Sequence, residues 1–406
     1  MTLLSPAICL RSQRTQRTRD YTKKPQASQR LKRDWLSKAL SRARHATRAR
    51  QATCLLYNFA VFVLHAIRKP TVRFSLPSEP ALTKMPASVL LAPVAEDMHA
   101  VDAVIRRRLG SEVALINQIG EYIISAGGKR LRPVILLLMA NALGYRGNHH
   151  YELAAVVEFI HTATLLHDDV VDESELRRGR QTANAVFGNA ASVLVGDFLY
   201  SRAFQMMVQA DSMRVMQILA DATNVISEGE VLQLLNMHDP DVTEERYLQV
   251  IRYKTAKLFE AAAQIGAVLS GADAATEAAA AEYGRRIGTA FQIVDDLLDY
   301  TATADQMGKN AGDDLREGKP TLPLIHLLSH GTEEQRALAR QAIEQGGTEH
   351  FDAIFDAIQA SGALEYTRKA AEREASAAAE AIIALPPSQF RQTLIELCAF
   401  SLQRQS

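Results

Sequence analysis

Residues 161–179 of this 406-residue chain read HTATLLHDDVVDESELRRG. Apolar residues recur at intervals of three and four in the run that ends at His167, which predicts a helix that ends in the aspartate cluster DDVVD. Asp168 and Asp172 are four residues apart, so their carboxylates lie on one helix face, where like charges are destabilising unless a cation lies between them. Oxygen ligands of this kind favour a hard ion such as Mg²⁺. Alone, the cluster is equally compatible with a solvated acidic helix end.

A second cluster with the same spacing, DDLLD, begins at Asp295 and includes Asp296 and Asp299. It also follows an apolar helical run. Two such clusters, each at the end of a buried helix, are hard to explain as surface decoration, and facing helices of a bundle can direct both into one cavity. The pair therefore predicts several magnesium ions around a diphosphate group.

Basic residues lie near both clusters in sequence. The segment GGKRLRP at 127–133 places Lys129 and Arg132 three residues apart, where both can contact one anion. Arg177 and Arg178 follow the first aspartate cluster, and guanidinium groups suit phosphate oxygens. Each group alone is typical of a solvated turn, but together with the aspartates they favour a diphosphate site.

The body of the chain is rich in apolar residues at helical spacing, with Gly and Pro at the joints between segments. We find no alternating β-branched runs, so the sequence predicts one all-α domain, a bundle of roughly ten or more helices around a central cavity. The longest apolar stretch, near Cys54–Ile67, is too short to span a bilayer. The three cysteines are widely separated, and they form neither a metal-ligand spacing nor a disulfide framework.

Residues 1–84 differ sharply from the rest, because they hold 18 of the chain's 46 Lys and Arg residues but only three of its 46 Asp and Glu residues. Three interpretations remain open: an organelle transit peptide, a nucleic-acid or membrane-surface arm, or a non-functional extension that precedes a native start at Met85. We favour the last, with a catalytic domain at 85–406.

Several single polar residues interrupt apolar helices or lie in a Gly-rich loop. His161 is seven residues before Asp168 and therefore on nearly the same helix face. A lone core histidine is usually structural, and none of the others carries a prediction alone: Lys254, Thr255, Gln292 and Lys309.

These motifs, in this order, resemble the trans-isoprenyl diphosphate synthases, the polyprenyl synthetase family, and most closely its bacterial octaprenyl-producing members. The resemblance covers most of residues 94–406, whereas residues 1–84 match nothing in that family. The matching segments after residue 179 are EGEVLQL at 228–234, YKTAKLF at 253–259, FQIVDDLLDY at 291–300 and GKNAGDDLREGKPTLPL at 308–324.

The resemblance implies an isoprenoid synthase type of bundle and a prenyltransferase that adds isopentenyl diphosphate repeatedly to an allylic diphosphate such as farnesyl diphosphate. It implies magnesium at six aspartates: Asp168, Asp169, Asp172, Asp295, Asp296 and Asp299. The implied contacts to the allylic diphosphate are Arg177, Lys254, Thr255, Gln292 and Lys309. Those implied for isopentenyl diphosphate are Lys129, Arg132, His161 and Arg178.

Product length, by the same resemblance, depends on side chains one helix turn before the first aspartate cluster. Short-chain members have a bulky aromatic residue there, whereas this chain has the small residues Ala163 and Thr164, with Ile160 a further turn back. We therefore expect a long product with eight isoprene units, destined for a quinone side chain. Seven, nine or ten units remain alternatives, and routine helix packing is the structural alternative for these three residues.

A non-catalytic subunit of a heteromeric synthase is a rival hypothesis, but it should lack an aspartate cluster. A terpene cyclase or a head-to-head synthase is another rival hypothesis. The residues implied for isopentenyl diphosphate argue against it, because they indicate a second diphosphate site and therefore chain elongation. Net negative charge outside residues 1–84 argues against a nucleic-acid partner.

We expect a cytoplasmic homodimer, with peripheral membrane association when the apolar product is released.

Overall fold

Helices account for nearly all regular structure in the described residues, which are 86–301, 312–347 and 349–403 of a computed structural model. All of them belong to one structural unit of the chain. The prediction of an all-α bundle is confirmed. The helices are α1 (Ala87–Leu90), α2 (Ala95–Leu109), α3 (Ala114–Ser125), α4 (Leu131–Ala142), α5 (His149–Val171), α6 (Ala183–Phe187), α7 (Asn189–Val208), α8 (Met213–Asn236), α9 (Glu244–Ile251), α10 (Lys257–Leu269), α11 (Ala274–Thr301), α12 (Asp313–Arg316), α13 (Leu322–His330), α14 (Glu333–Gln345), α15 (Phe351–Ala360), α16 (Ala363–Ala381) and α17 (Gln389–Leu402).

Shorter elements complete the chain path. A 3₁₀ turn covers Ala92–Val94, and a π-helical segment, Arg252–Ala256, joins α9 to α10. Strands β1 (Leu176–Arg177) and β2 (Arg180–Gln181) pair antiparallel in a small hairpin. The predicted domain boundary at residue 85 and the hypotheses about residues 1–84 lie outside the described residues.

Helix α5 is the centre of the bundle. Its apolar side chains are fully buried around the whole circumference, as Leu153, Val156, Phe159 and Ile160 show. It packs against α2, α4, α7 and α10. A helix segment that buries apolar side chains against several neighbours belongs in the interior of a helical domain. The aspartates at its C-terminal end therefore follow a tightly packed segment of helix.

Helix α11 approaches its neighbour closely through glycine. A Cβ added to Gly284 would lie 2.3 Å from the carbonyl oxygen of Phe259 in α10, and one added to Gly288 would lie 2.7 Å from the Cα of Ala256 in the π-helical segment. Larger residues at these two positions would push α11 away. This close packing brings the C-terminal end of α11, with the second aspartate cluster, next to Lys254 and Thr255.

A second hydrophobic core supports the end of α11. Tyr300 packs there with Leu315, Leu324, Ile343 and Ile354, which come from α12 to α15. This core fixes the position of the segment that begins at Gly312. No helix within the described ranges is long and apolar enough to cross a bilayer.

Candidate active site

A cavity of about 730 Å³ opens where α5 and α11 end. The start of α4, the β1–β2 hairpin, α8 and the π-helical segment complete its walls. Most of the residues selected from the sequence line it: Lys129, Arg132, His161, Thr164, Asp168, Asp172, Arg177, Arg178, Lys254, Thr255, Gln292, Asp295 and Asp296. The fold therefore brings both aspartate clusters and both basic groups to one place.

The first cluster places only two of its three carboxylates on the cavity. Asp168 and Asp172 line the wall, whereas Asp169 is 1% exposed. The Oδ1 atom of Asp169 accepts hydrogen bonds from Arg177 Nε at 2.7 Å and pairs with Arg177 Nη2 at 2.6 Å. Asp169 therefore holds the guanidinium of Arg177 on the hairpin in place.

Two ammonium groups lie against Asp168 and Asp172. Lys254 Nζ is 3.8 Å from Asp168 Oδ1 and donates to Glu230 Oε2 at 2.6 Å. Lys319 Nζ donates to Asp172 Oδ2 at 3.3 Å and also pairs with Glu317. Carboxylates at a helix C-terminus are unfavourable beside the negative end of the helix dipole, and these cations offset that cost. Residue 254 reaches the cavity from a π-helical turn, a feature frequent at functional sites.

The electrostatics of this wall follow from burial and from crowded carboxylates. Burial raises the pKa of Asp168, the Lys254 ammonium opposes this shift, and Asp172 adds to it. Burial also raises the pKa of Glu230 to about 7, against the pull of Lys254. Burial alone would lower the pKa of Lys254, but Asp168 and Glu230 raise it above its ordinary value. Lys254 is therefore a firmly held cation.

The second cluster is more deeply buried than the first. Asp296 is 4% exposed, and it accepts hydrogen bonds from Tyr247 Oη at 2.6 Å and from Gln292 Nε2 at 2.8 Å. Thr255 Oγ1 donates to Gln292 Oε1 at 2.9 Å, so these polar side chains form one chain of hydrogen bonds. Burial, followed by repulsion from Asp314, raises the pKa of Asp296 to about 8. A cation near Asp296 would therefore be strongly favoured.

Asp299, the last member of that cluster, does not line the cavity. It is fully buried, and its Oδ2 atom accepts a hydrogen bond from the backbone N–H of Asp314 at 3.1 Å. The carbonyl oxygen of Asp299 accepts a second one from the N–H of Gly312 at 3.1 Å. Asp299 therefore fastens the segment that follows residues 302–311 to the end of α11. Lys309 itself lies outside the described residues.

The opposite wall is cationic. Arg132 Nη1 lies 3.1 Å from His161 Nε2, and its guanidinium stacks 4.4 Å above the ring of Phe259. Because a guanidinium only donates, His161 Nε2 accepts, and its ring proton is on Nδ1. Burial, followed by repulsion from Arg132 and Arg178, lowers the pKa of His161 well below its ordinary value. Arg132 remains cationic, although burial lowers its pKa to about 10.

The hairpin turn presents Arg178 to this wall. Arg178 and Gly179 have φ of 55° and 72°, which matches the two positive φ values of a type I′ turn. Gly128 has a φ of 140°, a conformation that favours glycine, and a Cβ there would lie 2.6 Å from the Arg178 guanidinium, which would have to move aside. The glycine pair thus lets the two basic segments meet.

The residues predicted to control product length differ in exposure. Thr164 lines the cavity, whereas Ile160 and Ala163 are fully buried behind it. Apolar side chains from other helices also line the cavity, among them Ile226, Leu258 and Phe291. These three residues were not predicted, because nothing in a single sequence shows which core residues face a cavity. Glu158, Glu230 and Tyr247 were likewise not predicted.

The sequence profile of the polyprenyl synthetase family matches residues 113–359. An octaprenyl diphosphate synthase from Escherichia coli (strain K12) is 57% identical over 311 residues, which cover 76% of this chain and 96% of that protein. The chain belongs to the polyprenyl synthetase family. An all-trans-nonaprenyl-diphosphate synthase (geranyl-diphosphate specific) from Rhodobacter capsulatus is 48% identical, over 78% of this chain and 97% of that one.

Solved structures agree with this membership. A polyprenyl synthase from Caulobacter crescentus CB15, complexed with calcium and isoprenyl diphosphate, is 45% identical, with a TM-score of 0.77 over 79% of this chain and 98% of that one. The predicted isoprenoid synthase fold and the predicted prenyltransferase class are therefore confirmed.

Proposed function

We propose that this synthetase makes octaprenyl diphosphate by repeated head-to-tail condensation of isopentenyl diphosphate with an allylic diphosphate, beginning from farnesyl diphosphate. One observation carries the proposal: carboxylates from α5 and α11 share a single cavity with a separate cationic wall around Arg132. An enzyme that joins two diphosphates needs two such sites close together. The names of the relatives from Escherichia coli and Rhodobacter capsulatus support the reaction class.

The donor set fits magnesium. Asp168, Asp172, Asp295 and Asp296 offer only hard carboxylate oxygens, which suit this ion. Within the described ranges no three His, Cys, Asp or Glu side chains are already placed to hold a metal ion by themselves. Magnesium commonly takes its remaining ligands from water and from the phosphate groups of a substrate. Asp169 and Asp299, which we also predicted as ligands, are held in contacts away from the cavity and would act by positioning.

The allylic diphosphate would bind between the carboxylates and the cations beside them. Bound magnesium supplies positive charge that stabilises the diphosphate as a leaving group. Arg177 and Lys254 donate hydrogen bonds to its oxygens as negative charge develops there, which is electrostatic catalysis by fixed donors. Thr255 and Gln292 orient the same group, and Lys309 is a predicted further contact. The carbon–oxygen bond then breaks, which leaves an allylic cation.

Isopentenyl diphosphate would bind at the opposite wall through Lys129, Arg132, His161 and Arg178. Its double bond attacks the allylic cation, the new carbon–carbon bond forms, and one proton is lost. The departing diphosphate is the base that takes this proton. His161 is unsuited to that role, because its Nε2 already accepts a hydrogen bond from Arg132 and its pKa is low. Apolar walls exclude water, which would otherwise hydrolyse the cation.

Product length would depend on the side chains of α5 at and behind the cavity wall. Thr164 is small and lines the cavity, so a growing tail can pass along α5 towards Ile160 and Ala163. The relative from Rhodobacter capsulatus makes a nonaprenyl product, so a synthase of another chain length is the second candidate. The cytoplasmic location, the homodimer and the membrane contact for product release stay predictions, as does the quinone destination.

A two-substrate assay tests the proposed reaction class. The full chain would be incubated with labelled isopentenyl diphosphate, with or without farnesyl diphosphate, in magnesium or in excess chelator. We expect label in organic-soluble product only when farnesyl diphosphate and magnesium are both present. No incorporation under any condition would favour the rival hypothesis of a non-catalytic subunit.

A further inference from the structure

An acidic residue lies within the cationic wall of the cavity. Glu158 is on α5, one helix turn before His161, and it lines the cavity with a side chain that is 14% exposed. The proposed reaction assigns it no role. A carboxylate beside a diphosphate site should weaken binding by Coulomb repulsion, so its presence requires a physical reason.

Glu158 has one oxygen engaged and one that is not. Its Oε1 atom lies 4.0 Å from Arg130 Nε, whereas Oε2 is buried and has no hydrogen-bond partner among the described residues. Burial raises the pKa of Glu158, and the nearby guanidinium groups of Arg130, Arg132 and Arg178 oppose this shift. Keeping a carboxylate here is therefore costly, and only its cationic neighbours make it tolerable.

Arg130 connects Glu158 to the segment 127–132, which carries Lys129 and, at the start of α4, Arg132. It precedes α4 and has a φ of 45°, a left-handed conformation that needs support in a residue other than glycine. Its Nη1 atom pairs with Asp102 on α2, and its Nε faces Glu158 on α5. Two helices thus hold the side chain of Arg130. The predicted phosphate contacts Lys129 and Arg132 lie one residue before it and two residues after it.

We propose that Glu158 is a positioning residue for the isopentenyl diphosphate site. Its charge pairs with Arg130 and so holds the segment 127–132, and it attracts the guanidinium groups of Arg132 and Arg178, which line the same wall, before substrate arrives. This inference rests on the proposed function. If Glu158 positions the site, removal of its charge should weaken diphosphate binding. If Glu158 only repelled the diphosphate, removal of its charge would tighten binding.

The test compares Glu158→Gln with Glu152→Gln in the full chain. Glu152 is a matched control, since it lies on the same helix and pairs with Arg107 at 2.5 Å and Arg108 at 3.1 Å, but does not line the cavity. In Glu158→Gln we expect the KM for isopentenyl diphosphate to rise about tenfold, a size typical of coupled residues. The KM for farnesyl diphosphate should change less than about twofold, as should both values in Glu152→Gln.

A second substitution tests whether the effect of Glu158 passes through Arg130. If Arg130 transmits the effect, Arg130→Gln should raise the same KM, and the double variant should be no worse than the worse single variant. An unchanged or lower KM for isopentenyl diphosphate in a folded Glu158→Gln protein overturns the inference, as does full additivity of the two substitutions.

Calorimetry separates this inference from the proposed function. Isopentenyl diphosphate would be titrated into the wild-type chain and into Glu158→Gln, with no second substrate. Weaker binding by the variant supports the positioning role even if the wild-type chain forms no product. Equal binding by both contradicts that role even if elongation proceeds normally.

Discussion

The buried carboxylate of Asp169 and the partly exposed guanidinium of Arg177 form an ion pair in which Nε and Nη2 of the arginine contact the same carboxylate oxygen, at 2.7 and 2.6 Å. The middle aspartate of the first cluster therefore faces the hairpin, while its neighbours face the cavity. Breaking a buried pair is costly because it leaves one charge without a partner.

Substitution of Asp169 should therefore lower activity in the same way as substitution of Arg177. We expect Asp169→Ala and Arg177→Ala each to lower kcat/KM for farnesyl diphosphate by on the order of 100-fold, because either change removes the positioned guanidinium. The double variant should be about as active as either single one. Steady-state kinetics of the three variants measure this, and a double variant with fully additive losses would show that Asp169 acts independently of Arg177.

The ammonium of Lys319 donates a hydrogen bond to Asp172 Oδ2 at 3.3 Å. A metal ion must displace this ammonium, so Lys319→Gln should bind Mn²⁺ several-fold more tightly than wild type in the absence of diphosphate, roughly as expected for a nearby charge. Paramagnetic resonance titration reads out binding without activity. Lys369→Gln is the control, because Lys369 pairs with Glu365 at an exposed site. Equal Mn²⁺ affinity in all three proteins would contradict the prediction.

His161 predicts a pH dependence of stability. Its pKa in the folded chain is below the ordinary value of 6.5, mainly because it is buried. The unfolded chain therefore binds a proton more readily as pH falls through about 6.5, and the folded state loses stability by up to about 1.4 kcal/mol per pH unit from this group. His161→Gln keeps an acceptor for Arg132 but does not titrate.

Chemical denaturation of the wild type and of His161→Gln, at several pH values from 7.5 to 5, measures this contribution as a difference. We expect the free energy of unfolding of the wild type to fall more steeply than that of the variant below pH 6.5. Parallel pH profiles would show that His161 is charged in both states or in neither.

Thr164 lines the cavity, and Ala163 beside it on α5 is fully buried without lining it, so a bulky side chain should obstruct a growing tail directly at 164 and by displacing the cavity wall at 163. We expect Ala163→Tyr and Thr164→Tyr both to shorten the product, with most chains ending after one or two additions. Ala163→Tyr should also lower the melting temperature, because a fully buried site resists a larger side chain. Chromatography of the dephosphorylated products measures length, and full-length product from both variants would refute the groove along α5.

Sequence alone was sufficient for the features that follow from helical periodicity and spacing. The separation of four between Asp168 and Asp172 placed them on one face, and both line the cavity. Spacing does not show which way a neighbouring side chain turns, so the burial of Asp169 and Asp299 was not predictable. Glu158 and Glu230 were not predicted for a related reason. Glu158 faces Arg130 and Glu230 pairs with Lys254, and these partners are distant in sequence and adjacent only after folding.

The size of the product tests the central claim most directly. The full chain would be incubated with magnesium, farnesyl diphosphate and excess labelled isopentenyl diphosphate, and the dephosphorylated products would be separated by chain length. Our account predicts a dominant forty-carbon product, with shorter chains as transient intermediates. Products that stop at one addition, or no product longer than the starter, would contradict it.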